Sequence, residues 1–292
     1  MPREMAGRSA IVAGASQGLG RAIARAFVRE GASVVLCARD ARLLEETRAE
    51  LAPLVVRSQK VVAQVCDVSR PADVEALFAR AVAECPDLDI LVNSAGVQGP
   101  MGLAEDNDWA QWVRTIEINL HGAVLLCRAA LPHLRRRGYG KIVQLSGGGA
   151  TGPRARFSAY AASKAALVRF VETLAHELSG SRVDVNAIAP GVLDTRMLDE
   201  VLAAGPAAVG EAAYRDAVAQ KGKGAASLER GADLALFLAS RRSDGITGRL
   251  ISAVWDSWED LPERRDELAG TDVYTLRRIV PGDRGKDWGG PR

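Results

Sequence analysis

Short apolar runs alternate along the chain with longer segments whose hydrophobic residues recur at helical spacing. The runs are Ser9-Ala-Ile-Val-Ala13, Ser33-Val-Val-Leu-Cys37, Val61-Val-Ala-Gln-Val65, Leu88-Asp-Ile-Leu-Val92, Lys141-Ile-Val-Gln-Leu145 and Arg182-Val-Asp-Val-Asn186. Between them the pattern predicts helices over Arg21–Glu30 (closed by Gly31 as a C-cap), from Ala41 to about Leu51, from Pro71 onward, through Trp109–Leu134 and around Tyr160. A last strand is expected over Ile246–Ser252. Parallel strands need an intervening helix to return the chain. The alternation therefore predicts an α/β fold, a doubly wound parallel sheet of about seven strands with helices on both faces. No repeat, low-complexity tract or linker divides the sequence, so one domain is expected over residues 1–255. Residues 256–292 read as a C-terminal extension of it and not as a second domain.

Ligands in such sheets bind beyond the carboxyl ends of the strands, and Gly14, Asp67, Asn93, Ser146 and Pro190 all fall there. The first strand runs into Gly14-Ala-Ser-Gln-Gly18-Leu-Gly20 and then straight into a helix. Glycines in that context allow a tight turn and let backbone approach a pyrophosphate at the helix N-terminus. The second strand leads into Ala38-Arg39-Asp40. An acidic residue beside the strand would accept from a ribose 2′-hydroxyl, whereas an arginine can pair with a 2′-phosphate. Arg39 thus favours NADP, with NAD possible; the alternative is a solvated arginine opening the next helix.

Tyr160 and Lys164 stand four apart in an Ala-rich helical segment, so both side chains share one face. An ammonium beside a phenol favours the phenolate and lowers the tyrosine pKa from about 10. Such a phenol can exchange a proton with an alcohol or carbonyl near neutral pH. Alone, the pair is equally an ordinary helix with two polar side chains.

Composition narrows the classes. The 292 residues are 48% hydrophobic and 25% charged with a net charge of +2, which gives no domain-wide basic excess for nucleic acid or a membrane surface. Cys37, Cys66, Cys85 and Cys127 form no CxxC pair, and His121, His133 and His176 lack metal-ligand spacing, so no metal is expected. No apolar run reaches spanning length and no signal pattern opens the chain. A reducing cytoplasm is the expected compartment.

Taken in order, Gly14-x-x-x-Gly18-x-Gly20, Asn93-Ser-Ala-Gly96, Asn119, Ser146, Tyr160-x-x-x-Lys164 and Pro190-Gly191 resemble the short-chain dehydrogenase/reductase family, over roughly residues 5–255. The resemblance implies a Rossmann-type sheet and an NAD(P)-dependent oxidoreductase that interconverts a carbonyl and an alcohol. Tyr160 would be the general acid/base. Lys164 would lower its pKa and hold the nicotinamide ribose, and Asn119 would anchor a proton-relaying water. Asp67 and Val68 would flank the adenine, Asn93 would support the central strand, and Thr195 would meet the carboxamide. The implied cofactor set further includes Gly14, Ser16, Gln17, Gly18, Leu19, Gly20, Arg39, Ala95, Gly96, Pro190, Gly191 and Val192. The family commonly assembles through the Tyr160 helix. A homodimer or homotetramer is therefore expected, and the small residues Ala161, Ala162, Ala165 and Ala166 would permit the close packing.

Three departures stand out. The family's usual Ser-Ser is Ser146-Gly147 here, and the second serine is ordinarily the one that bonds substrate. Either Ser146 substitutes through a shifted glycine-rich loop, or the bond comes from elsewhere, such as Thr151. Gln17 stands where NADP-preferring members often carry a cation. The family's closing Asp-Gly-Gly is replaced by Ala253-Val-Trp-Asp-Ser-Trp258 and a long tail. Residues 193–228 fill the variable substrate-binding segment. There Lys221 and Lys223, with the basic tail, suggest a cationic lid for a phosphorylated or nucleotide-linked substrate, or simply solvated lysines. Gly147 also motivates a second reading, a cofactor-binding sensor or scaffold with impaired catalysis. An epimerase or dehydratase with retained NAD is a third.

Overall fold

A computed structural model of the protein describes residues 3–56, 58–221 and 224–289. Ser9–Ala13 (β1) leads through Gly18–Arg29 (α1), Ser33–Ala38 (β2), Ala41–Leu51 (α2), Val61–Val65 (β3) and Pro71–Glu84 (α3) to Leu88–Asn93 (β4). Trp109–Ile116 (α4), Gly122–Arg137 (α5), Gly140–Leu145 (β5), Ser158–Glu177 (α6) and Val183–Ala189 (β6) follow. The chain continues with Arg196–Val209 (α7), Glu211–Gln220 (α8), Gly224–Ala239 (α9), Leu250–Ser252 (β7) and Arg265–Ala269 (α10).

β1, β4 and β5 are buried at every residue, which suits strands covered on both faces. Among the described residues seven strands join in the order β3-β2-β1-β4-β5-β6-β7, every pairing parallel. Because successive side chains point to opposite faces, β1 splits its residues: Ala10 and Val12 join one core cluster, Ile11 and Ala13 the other. The first cluster holds the apolar face of α1 (Leu19, Ile23, Phe27) with Leu234 and Leu238 of α9. The second holds Leu77 of α3, Leu126 of α5 and Val168 of α6. Strand order reverses between β1 and β4, the switch point where such sheets bind ligands.

Two expectations change. The helix through Trp109–Leu134 is not continuous: a π-helical turn, Glu117–His121, separates α4 from α5 and carries Asn119. Asn119 accepts from Val97 N at 2.9 Å and donates to Val97 O and Ser163 Oγ, both at 3.0 Å. The widened turn lets one side chain keep all three bonds, and such turns cluster at functional positions. The last strand spans Leu250–Ser252 and not Ile246–Ser252. Gly248 takes a left-handed φ of +73°, and the Ile246 carbonyl and Arg249 N–H bond the Asn186 side chain. Residues 246–249 therefore run beside the middle of β6, where Gly248 N donates to Val185 O and Ala187 N donates to Arg249 O, and regular strand begins only at Leu250.

The tail then covers the sheet edge. Leu250 N donates to Tyr274 O at 2.8 Å, and Trp258, Leu261 and Leu268 join the α1/α9 core, with Trp258 tilted against Phe237. An edge strand paired this way no longer offers a free ladder. Below the sheet, fully buried Lys141 pairs with Asp184 (2.7 Å) and Asp244 (2.8 Å). Among the described residues no helix is long and apolar enough to cross a membrane.

Candidate active site

The loops after β1, β4, β5 and β6 open onto one cavity of about 1890 Å³, larger than the ~300–1,000 Å³ of a drug-sized ligand site. At its β1 end the glycine turn is shaped by close approach. A Cβ at Gly14, whose φ is +74°, would lie 2.7 Å from Ala95 N, and one at Gly20 would lie 2.2 Å from the Gly14 carbonyl oxygen. The turn thus packs against the loop after β4 and against the start of α1. Gln17 is the N-cap of α1 and makes no side-chain cap bond there, so the first-turn N–H groups face the cavity mouth uncapped. Asp40 is committed elsewhere: its carboxylate accepts from Leu43 N and caps α2. Arg39 and Arg70 line one small hollow beside Asp67 and form no ion pair with a described residue. Burial opposes ionisation of Asp67, but hydrogen bonds from Ser69 and the Arg114 guanidinium outweigh it and hold the pKa below the ordinary value.

The other end is built on α6. Tyr160 and Lys164 are both buried on its cavity face, as the four-residue spacing requires. Lys164 Nζ donates to the Leu145 carbonyl at 2.7 Å and lies 5.7 Å from the Tyr160 ring centroid. Burial pulls its ammonium down to about 8. Burial likewise pushes the Tyr160 phenol up, and the charge opposing that rise is the Arg154 guanidinium. The expected lowering of Tyr160 by Lys164 is therefore not found in this geometry, because the lysine is turned to a carbonyl and desolvation dominates the phenol. Asn119 lies behind the cavity wall. A Cβ at Gly96 would lie 3.3 Å from Asn119 Oδ1 and 3.5 Å from Lys164 Nζ, so the three groups meet at that glycine.

The sequence profile of the family described as short chain dehydrogenase matches residues 8–205. The chain belongs to the short-chain dehydrogenase family. An L-fucose dehydrogenase from Oryctolagus cuniculus is 38% identical over 242 residues, 82% of this chain and 81% of that one. A short-chain dehydrogenase/reductase structure from Burkholderia xenovorans superposes with a TM-score of 0.74 at 34% identity, covering 85% and 95% of the two chains. An actinorhodin polyketide ketoreductase, solved with NADPH, gives a TM-score of 0.76 at 27% identity over 86% and 97%.

Within this dehydrogenase the cavity gathers most of the residues the sequence singled out: Gly14, Ser16, Gln17, Gly18, Leu19, Arg39, Asp67, Val68, Ala95, Gly96, Ser146, Tyr160, Lys164, Pro190, Gly191, Val192 and Thr195. Gly20, Asn93 and Asn119 stand behind it. Asn93 bonds Gln144 across β4–β5 and accepts from Ala95 N. Lys221 is not the free cation the lid expectation needs: it does not line the cavity, and its ammonium pairs with Asp194, which does, and with Asp199; Lys223 lies outside the described residues. Ser146 Oγ is buried on the cavity wall and finds no hydrogen-bond partner among the described residues. Gly147 passes so close to Tyr160 that a Cβ there would lie 2.3 Å from the phenol oxygen. Sequence reasoning missed Ser163, Arg70, Gln98 and Arg154. Ser163, on the α6 turn that carries Tyr160, could have been found as the residue facing Asn119; nothing in the sequence marks the other three.

Proposed function

We propose that the protein is an NADP-preferring oxidoreductase that interconverts a carbonyl and an alcohol, with Tyr160 as general acid/base. The observation that carries this is the single cavity joining the glycine turn to buried Tyr160 and Lys164. The residues fit a dinucleotide: the glycines at 14 and 20 leave no space for side chains, and uncapped N–H groups of α1 face the cavity for a pyrophosphate. The nicotinamide, once bound, supplies or accepts the hydride. Tyr160 would give its phenolic proton to a carbonyl oxygen in reduction and take it back from an alcohol in oxidation. Lys164, near its own titration, would share that proton and meet the ribose, and Asn119 would hold the backbone at Val97 and carry a relay water. Ser146 Oγ supplies the free buried donor that orients the substrate oxygen.

The cofactor preference rests on Arg39 together with Arg70. Two unpaired guanidinium groups in one hollow suit a 2′-phosphate, and the carboxylates around it are engaged elsewhere: Asp40 caps a helix, Asp67 pairs with Arg114, and Asp73 accepts from Asp67 N. A panel of ketones and aldehydes assayed with NADPH and NADH tests the reading. Turnover with a kcat/KM advantage for NADPH supports it. Tight cofactor binding with no hydride transfer to any of them favours the sensor, which Gly147 motivates.

A further inference from the structure

Beside the proton donor, one cation of the cavity wall is held by ring contacts alone. Arg154 lies in the loop between β5 and α6, and its guanidinium carbon stands 3.8 Å over the Phe157 ring and 5.5 Å over the Tyr160 ring. Among the described residues its guanidinium makes no hydrogen bond and no ion pair. Its neighbours differ. Arg156 donates to the Ala207 and Ala208 carbonyls and ties the loop to α7, Arg196 pairs with Glu200, and Lys164 is on the Leu145 carbonyl. A guanidinium carries five donors in a planar fork, and holding them half out of water without an acceptor is costly. Burial duly lowers the Arg154 pKa, with Tyr160 as the group opposing it.

The reacting oxygen does not need this cation. Ser146 Oγ and Gln98 Nε2 both line the cavity, are buried, and have no partner of their own among the described residues. The glycine loop clears the approach: Gly148 has open space on its Cβ side, and Gly149 lets the Arg154 stem pass at 3.4 Å from where a Cβ would stand. What remains is a rigid fork, stacked on an aromatic ring beside the proton donor and matched in shape to two carboxylate oxygens.

We propose that Arg154 binds a carboxylate of the substrate, so that the enzyme acts on oxo acids and their hydroxy acids. This rests on the carbonyl/alcohol reading above. The stacked guanidinium fixes the acid end of the substrate, and with it the distance from that end to the carbonyl at Tyr160. A single such fork suits a carboxylate monoanion; a neutral ketone or sugar would leave it unpaired in the closed complex.

The protein loaded with NADP+ is titrated calorimetrically with benzoate, phenylacetate and 3-phenylpropionate and with the three matching amides. The expected result is at least one acid bound tenfold or more tighter than its amide, about 1.4 kcal/mol. R154M should erase that difference and R154K should keep part of it, with saturable NADP+ binding by both variants showing an intact fold. Acids and amides that bind alike, or no acid binding at all, would overturn the carboxylate site. So would an acid preference that survives in R154M. Turnover of acetoacetate, benzoylformate and 4-oxopentanoate against their methyl esters separates the two levels of the account. Esters reduced as readily as acids remove the carboxylate site alone; acid binding without any hydride transfer removes the oxidoreductase reading alone.

Discussion

Gly147→Ser puts a side chain where the Tyr160 hydroxyl already is. A Cβ at 147 would lie 2.3 Å from the phenol oxygen and 3.2 Å from its ring carbon, while ordinary contact begins near 3.4 Å. Loop or phenol must therefore shift by about 1.1 Å, the difference between 3.4 and 2.3. Tyr160 sits on a helix whose Ala159, Ser163 and Lys164 are also buried, so the phenol cannot retreat without disturbing the whole site. A misplacement of about 1 Å in a reacting group can remove on the order of 10²-fold of rate. That corresponds to about 2.7 kcal/mol of transition-state stabilisation. Restoring the family's serine should thus lower kcat/KM about a hundredfold. NADPH affinity should stay near its parent value, because the cofactor end of the cavity is untouched. Overpacking should cost about 1 kcal/mol of stability, the low end for such changes, since Gly148 opens to free space. Steady-state kinetics, an NADPH titration and a denaturation curve on the same preparation read all three. A variant as fast as the parent, or faster, would refute the steric reading and make Gly147 a deleted hydroxyl.

Three further outcomes follow from the geometry. Lys141→Met leaves Asp184 and Asp244 facing a fully buried apolar group, and should cost about 3 to 5 kcal/mol in urea unfolding; a loss below about 1 kcal/mol would show the cluster to be well hydrated. Lys164 titrates near 8, below its ordinary value, so the folded protein binds fewer protons than the unfolded chain between about 8 and 10.4. Stability should accordingly rise with pH across that window, and kcat/KM for ketone reduction should fall as Lys164 loses its charge; a flat rate profile from pH 7 to 10 would contradict the assignment. Arg39→Ala combined with Arg70→Ala should weaken NADP+ by about tenfold or more and NAD+ little, as loss of charge-assisted bonds to a phosphate predicts, and equal weakening of both would remove the 2′-phosphate assignment.

The sheet was legible because its signal is redundant. Apolar runs such as Ile11–Val12 and Leu91–Val92 serve both faces, so pattern and parallel topology agree. Local chemistry was legible where a backbone demand selects one residue type: Gly14 and Gly20 are dictated by contacts under 3 Å. Side-chain commitments were not. Lys221 reads as a free cation in sequence, yet two aspartates far along the chain neutralise it. Lys164 stands at the expected spacing from Tyr160, but desolvation sets the phenol's pKa. The π-turn at Asn119 and the truncation of β7 both come from side chains bonding backbone across the fold, at Val97 and Asn186, which no local periodicity encodes. Arg154 stands out only once its missing partners can be seen.

In the proposed reaction Tyr160 moves the proton while the rest of the cavity holds cofactor and substrate. Tyr160→Phe removes one oxygen from the cavity wall and leaves the glycine turn, Arg39 and Lys164 in place. Stopped-flow oxidation of NADPH by the variant, with a carbonyl compound the parent protein reduces, tests it most directly. NADPH affinity should be unchanged and the hydride-transfer rate lower by about 10² to 10⁴, the usual contribution of a positioned acid. Transfer within a few-fold of the parent rate would place the proton donor elsewhere and contradict it.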